Sequence, residues 1–359
     1  MRLARRETAT LAPNRLPPQG RLSERSSQIH ESRDRVPSVR SVLRTVLAQI
    51  EGARAVLDAA PLERATFEAE PPRAVDAEPV ESATSLSAPV SGAPLTGFGA
   101  FLDGRQETRV FAWVTPIAPL VIGTVSAGIQ RREGRRMHSW GPTVVERRVY
   151  APLALIDVPQ LRAACAPLAV VETLTREDAA SGPLHPTLLQ ERARQAVMRD
   201  RELAEQRIAQ AWCESQRSPL FVDGGIAGSE RLAASPLAIG VVKSHRTFYG
   251  DADGMLAALS LRAGERTRVV RVAPRGRRPV HSWYLRLRDP EGHDVLWGLV
   301  RVEVAESDDP SARAELVSRW VMAERAPLAV PDARWDRMAY GVRAVEQGLG
   351  AAAPTARQA

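Results

Sequence analysis

The sequence has 359 residues, 44% of them hydrophobic, with two cysteines, six histidines and a formal charge of +7. That is enough for one large domain or two ordinary ones, and the lack of any run of about 18 apolar residues leaves no candidate membrane span. Cys165 and Cys213 fit no zinc spacing and point to a reducing cytoplasm; the arginine excess makes nucleic acid a reasonable partner, because guanidinium groups neutralise phosphates and release counterions, although a genome that favours arginine codons accounts for the same excess.

Residues 1–36 are polar, Arg-rich and aperiodic, and read as a disordered basic tail. From Ser38, which has the side chain of an N-cap, Val39, Val42, Leu43, Val46, Leu47, Ile50 and Leu57 fall at helical spacing, so 37–60 reads as an amphipathic helix. One apolar face must pack on something: the chain's own core, a second copy, or another protein. Residues 61–95, rich in Pro, Ala, Glu and Ser, read as a linker.

Order resumes near Gly97. "AFLDG", "RVFAWVT" and "LVIGTVSAGI" read as three successive strands, "RREGRR" as a basic turn, and "TVVERRVYAPLALI" as one or two strands more. Residues 183–216 carry a helical period through Leu188, Leu189, Val197, Leu203, Ile208 and Trp212. "LFVDGG" and "AIGVVKS" are buried strands, and "TRVVRVAP", "HSWYLRLRD" and "DVLWGLVRVEVA" alternate as a meander would. Helices over 312–324 and 331–348 close the chain before a disordered tail at 349–359. The expected fold is mixed α/β, one domain over 96–348. Its RNase H-like core has three consecutive antiparallel strands, the first bearing an Asp, then a helix and a further acid-bearing strand, with additional antiparallel strands and C-terminal helices.

Several chemistries drop out. "GGIAGSE" lacks the lysine of a P-loop and the spacing of a dinucleotide fingerprint; there is no Gly-x-Ser-x-Gly elbow and no His-Glu-x-x-His. What remains is acidic. Asp103 in "FLDG" and Asp223 in "FVDGG" stand 120 positions apart, and each ends an apolar stretch before a glycine. One Asp-Gly commonly starts a turn. The repeated pattern suggests more: neighbouring carboxylates repel unless a cation lies between them, and hard dications such as Mg²⁺ or Mn²⁺ take oxygen ligands. Two such ions about 3.5–4 Å apart stabilise the attacking and leaving oxygens in phosphodiester cleavage. A third acid would come from the helix before Asp223, where Glu202 and Glu205 share a face with Ile208, Ala209 and Trp212, unless they occupy a solvated rim. Lys243 is the single lysine among 49 Lys and Arg residues. Its compact ammonium can act as a point charge beside a phosphate, which a planar guanidinium cannot; chance survival is the alternative.

Taken in order, these motifs resemble the NurA nuclease family over roughly residues 97–345. The pattern is "FLDG" with Asp103, Glu205 or Glu202 before "FVDGG" with Asp223, "GVVKS" with Lys243, "YLRL" with Tyr284 and Arg286, and "RVE" with Arg301 and Glu303. The resemblance implies an RNase H-like deoxyribonuclease using a pair of Mn²⁺ or Mg²⁺ ions. It would cleave DNA from 5′ ends or within single strands, form homodimers, and work with the hexameric ATPase HerA, a translocase, in DNA-end processing or defence. It also favours an assembly role for the N-terminal helix. Asp103, Glu205 (or Glu202) and Asp223 would hold metal, Lys243 would contact the scissile phosphate or orient water, and Tyr284, Arg286, Arg105 and Arg301 would line the DNA path. Two departures stand out. Arg105 replaces a small residue after Asp-Gly, and Ala339-Tyr340 stands where the family carries Ala-His. A tyrosine, with a pKa near 10, cannot replace a neutral imidazole as ligand at pH 7, which leaves His281 or His293 as substitutes. The rival readings are a catalytically decayed DNA-clamping adaptor of a translocase, and another RNase H-like nuclease.

Overall fold

The computed structural model describes residues 38–56, 73–82, 85–180, 183–273, 276–325, 337 and 339–352, all within a unit spanning Pro37–Ala359. Helix α1 (Val39–Gln49) is followed by short strands β1 (Arg54–Ala55), β2 (Arg73–Val75), β3 (Glu78–Pro79) and β4 (Ser87–Pro89). Three long strands come next, β5 (Ala100–Trp113), β6 (Pro119–Glu133) and β7 (Arg136–Ala151). Then come α2 (Val158–Cys165), β8 (Val170–Glu172), α3 (Arg176–Ala180) and the 30-residue α4 (Pro186–Ser215). The chain continues through β9 (Leu220–Asp223), α5 (Glu230–Ala234), β10 (Ala238–Val242), β11 (Thr247–Tyr249) and α6 (Ala252–Ser260). Strands β12 (Glu265–Thr267), β13 (Val270–Val272), β14 (Val280–Arg286) and β15 (Leu299–Ala305) precede helices α7 (Pro310–Ala323) and α8 (Tyr340–Ala352).

The fold is mixed α/β. Its main sheet runs β3-β13-β14-β15-β10-β9-β5-β6-β7-β8. β6 is antiparallel to both β5 and β7, while β9 lies parallel to both β5 and β10. Side chains alternate across each strand, so the two faces carry different cores. Phe101, Phe221, Val241 and Val302 pack against Val317 and Val321 of α7 and Val342 and Val345 of α8. Leu102, Val222 and Leu220 pack against Ala209 and Trp212 of α4 and Leu232 of α5.

The three antiparallel strands differ from those expected. "AFLDG" and "RVFAWVT" form one continuous strand, because β6 pairs with β5 from Ala100↔Arg131 to Trp113↔Pro119 and satisfies the backbone through the polar middle. The "RREGRR" turn lies between β6 and β7, with Gly134 at φ +61°.

Three segmental expectations also change. Ser38 caps α1 by accepting from the Ser41 amide (3.2 Å), but the helix stops at Gln49. Its stripe of Val42, Val46 and Ile50 is buried against Phe111, Leu120, Ile122 and Leu161 of the chain's own core, so that face is not left open for a partner. Of the stretch read as a linker, 61–72 and 83–84 lie outside the described residues, and the rest is stitched into sheets: β3 pairs with β13, β4 with β12 and β2 with β11. Glu81 in that stretch binds the buried Arg266 guanidinium at 2.8 Å through both oxygens. The last helix reaches Ala352, four residues into the expected tail. The expected tail at 1–36 and the start of the last expected helix, 331–336, lie outside the described residues. Among the described residues no helix is long and apolar enough to cross a membrane.

Candidate active site

The pairing of β5 with β9 explains why the two Asp-Gly motifs stand 120 positions apart. Ala100 pairs with Leu220, Phe101 with Phe221 and Leu102 with Val222. Asp103 and Asp223 are the next positions on these adjacent parallel strands, and alternation puts both carboxylates on the face of Phe101 and Phe221. Asp223 stands at the carboxyl end of β9, a position where open α/β sheets commonly bind ligands, and Asp103 lies beside it near the start of β5. β9 ends at Asp223 and β5 runs on, so among the described residues no strand pairs with that edge of β5 beyond Asp103 until β1 joins it at Ala112 and Trp113.

Lys243 follows the last residue of β10. Val241 pairs with Asp223, and two residues later the Lys243 ammonium reaches the same face and bonds Asp223 Oδ2 at 2.8 Å. Helix α4 brings the third acid. Its C-terminal end is tied to the start of β9 by the Trp212 indole, which donates to the Ser218 carbonyl (3.0 Å). Of the two glutamates on α4, Glu205 is the one whose charge reaches Asp103, and it approaches from the Leu102 face of the sheet, opposite to that of the two aspartates. A side-chain carbon on Gly104 would fall 2.1 Å from Glu205 Oε1, so the glycine after Asp103 is the gap into which Glu205 fits. Glu202 is half-exposed, with its carboxylate 3.9 Å from Arg201.

The electrostatics are unbalanced. Asp103 is buried and accepts from the Gly104 amide (2.8 Å). Burial, and then the Asp223 charge, push its carboxyl up to about 8. Burial also raises Glu205 to about 7, against the pull of Arg201, which donates to its Oε1 at 2.7 Å. Carboxylates held this way gain from a nearby cation, and an all-oxygen donor set suits a hard dication. The donor chemistry therefore fits Mg²⁺ or Mn²⁺. The present placement is not a finished cage: among the described residues no three His, Cys, Asp or Glu side chains converge closely enough to hold a metal ion. Asp223 is engaged by Lys243 and Glu205 by Arg201.

The residues expected along a DNA path divide. Arg105 is exposed on the open edge of β5. Tyr284 is buried, stacked on Phe248, and its hydroxyl accepts from the Tyr249 amide (2.9 Å). Arg286 is wholly buried, donating to the carbonyls of Leu261 (3.1 Å), Leu259 (2.8 Å) and Val295 (2.9 Å) among others. Arg301 is buried over the Tyr249 ring and bonded to Glu303 and Ser282. The polar groups of all three make their contacts inside the protein. His281 is buried on β14 with β15 and β10 between it and β9, and His293 is exposed and stacked on Trp297; neither joins the acids. Tyr340 is exposed at the first position of α8, next to Gly341, which lies against the Phe101 ring.

Two contributors escaped the sequence reading. Glu303, quoted only as part of a motif, accepts from the Ile226 and Ala227 amides (2.7 and 3.1 Å) and pins the loop after Asp223. Its signal was a carboxylate in a buried strand whose one other charged residue is Arg301, two positions before it. Arg201 carried no such signal, since an arginine four residues before a glutamate is ordinary on a helix surface.

No family model matches the chain, and no curated protein matches it. Among solved structures the chain is similar to the crystal structure of the NurA nuclease from Sulfolobus solfataricus, at 9% identity with a TM-score of 0.42, over 71% of this chain and 79% of that one.

Proposed function

We propose that the chain is a divalent-metal-dependent deoxyribonuclease. The observation that carries this reading is the placement of Asp103 and Asp223 side by side on adjacent parallel strands where β9 ends, with Asp103 raised to about 8 and Glu205 entering over Gly104. Asp103, Asp223 and Glu205 would hold Mn²⁺ or Mg²⁺. Bound divalent ions supply positive charge that activates water and stabilises the leaving oxygen of a phosphodiester. Lys243, beside Asp223, orients the scissile phosphate as a compact point charge. Arg105, on the open edge, draws the backbone of the strand toward the acids. The order of three antiparallel strands, a helix and an acid-bearing parallel strand supports an RNase H-like core.

The finer reading follows the sequence resemblance: cleavage from 5′ ends or within single strands, a homodimer, and DNA-end processing or defence beside a HerA-like hexameric ATPase, in the cytoplasm. A second reading has one observation in its favour. Lys243 and Arg201 already engage two of the three acids, as in a DNA-clamping adaptor that has lost its metal site. End-labelled DNA incubated with the purified chain separates the two. The nuclease cleaves with Mn²⁺ and stops in EDTA; the adaptor retains DNA without cleaving it under either condition.

A further inference from the structure

A groove of about 560 Å³ opens beside Asp103 along the free edge of β5. Asp103, Gly104, Arg105 and Gln106 form one side, Arg194, Met198 and Arg201 of α4 a second, and Glu346 and Leu349 of α8 a third. Both faces of the sheet reach it because β9 has ended: Arg105 extends toward Gly350 of α8, while Gln106 meets Arg201 of α4 (3.2 Å). Arg201 is therefore both a groove residue and the cation on Glu205.

That double placement is informative. Within a helix, an acid four residues before a base is the favourable order, and the reverse order opposes the helix dipole. Arg201 before Glu205 is the less favourable order, so the pair adds little to the helix itself. The guanidinium sits partly exposed at the groove wall, its side chain 23% accessible. A guanidinium binds a phosphate through the same two-pronged geometry it offers a carboxylate.

We infer that Arg201 is a phosphate-binding positioning residue of this groove, held on Glu205 until a nucleic-acid strand enters. The inference rests on the nuclease reading and deepens it by naming the path of the substrate backbone. When a backbone phosphate takes the guanidinium, Glu205 is released toward the acids. Strand binding and completion of the ligand set then become one event. Arg105, on the opposite wall, would contact a neighbouring phosphate.

The test uses the full chain and two ligands. In EDTA, a labelled single-stranded oligonucleotide is titrated with wild type, Arg201→Gln, Arg201→Lys and the exposed-wall variant Arg105→Gln at several salt concentrations. Arg201→Gln should weaken binding about three- to tenfold and lower the salt slope by about one. Arg201→Lys should restore the slope, and Arg105→Gln should lower it as well. In a second arm, Mn²⁺ alone is titrated by electron paramagnetic resonance. Arg201→Gln should bind Mn²⁺ more tightly than wild type, because Glu205 has lost its competitor. A merely structural role would weaken both ligands together. The inference is overturned if Arg201→Gln leaves oligonucleotide affinity and salt slope unchanged, or if it weakens Mn²⁺ binding. The oligonucleotide arm needs no metal, so it judges Arg201 even when wild type binds no Mn²⁺, a result that would instead overturn the nuclease reading.

Discussion

Glu303 and Ile226 join β15 to the loop that follows Asp223: the Ile226 amide donates to Glu303 Oε2 at 2.7 Å, and Ala227 adds a second bond at 3.1 Å. The fit is close enough that a side-chain carbon on Gly225 would fall 2.9 Å from Glu303 Oε2. Arg301 bonds the other carboxylate oxygen inside the same core. Removing Glu303 leaves a buried guanidinium and two amides without their acceptor. Glu303→Ala should cost about 3–5 kcal/mol, the usual loss when one member of a buried pair is removed, and Glu303→Gln about 1–3 kcal/mol. Denaturant melts measure both, and a Glu303→Ala protein as stable as wild type would contradict this role.

Asp103 sets a pH dependence. Its carboxyl, raised to about 8 in the folded chain, titrates near 4 when unfolded. Between those values the folded state holds the extra proton, so stability is highest at the acid end and falls as pH rises toward 8. Glu205, raised to about 7, adds in the same direction. Without metal, wild type should melt several degrees lower at pH 8 than at pH 6. Asp103→Asn should flatten that difference and melt higher than wild type at pH 8. Equal pH slopes in the two proteins would remove the buried charge as its cause.

Gly104→Ala tests the seat of Glu205. A methyl group there collides with the carboxylate, and helix α4 or the Glu205 side chain must move. Activity with Mn²⁺ should fall at least tenfold, about 1.4 kcal/mol in barrier, with the circular dichroism spectrum unchanged. Full activity would show that Glu205 is not a ligand.

Lys243→Arg keeps the charge and changes its shape. Beside Asp223 at 2.8 Å, a planar fork cannot occupy the place of a compact ammonium. A rate loss greater than about threefold, or roughly 0.7 kcal/mol, is expected in single-turnover cleavage. A smaller loss returns the single lysine to chance survival.

Helix α1 is part of the core. Val46 is wholly buried and Val42 nearly so, packed against β5, β6 and α2. Val46→Ala should lower stability by about 1–3 kcal/mol, and deleting residues 1–56 should yield insoluble protein. A soluble, fully stable truncated chain would show that the helix is dispensable to the fold.

Much of this architecture was legible in the residues. Apolar runs marked β6, β9, β10, β14 and β15, and the spacing of Leu189, Val197 and Trp212 marked α4, because one buried face imposes a period on each. The echo of Asp103 in Asp223 was readable because parallel register repeats the same pattern on neighbouring strands. Other features were hidden by the physics of long-range pairing. Polar residues 105–108 separated what read as two strands, yet β6 supplies their hydrogen bonds from across a hairpin. The Pro-rich stretch looked like a linker because two- and three-residue strands have no period to detect. Tyr284, Arg286 and Arg301 looked like ligand-facing groups, since the same side chains that bind phosphates also bind buried carbonyls and carboxylates. Only the fold shows which face they occupy.

The charge of two neighbouring aspartates is central to the proposed site, and cleavage of end-labelled DNA by full-length Asp103→Asn and Asp223→Asn proteins tests it most directly. Asparagine keeps the shape of each side chain and removes the negative charge that would hold a dication. With Mn²⁺ present, wild type should degrade the DNA while each variant, folded and still binding the same DNA, falls by at least about a hundredfold, roughly 2.7 kcal/mol in barrier. Either variant cleaving at a rate near wild type, or wild type cleaving equally well in EDTA, would contradict the two-carboxylate metal site.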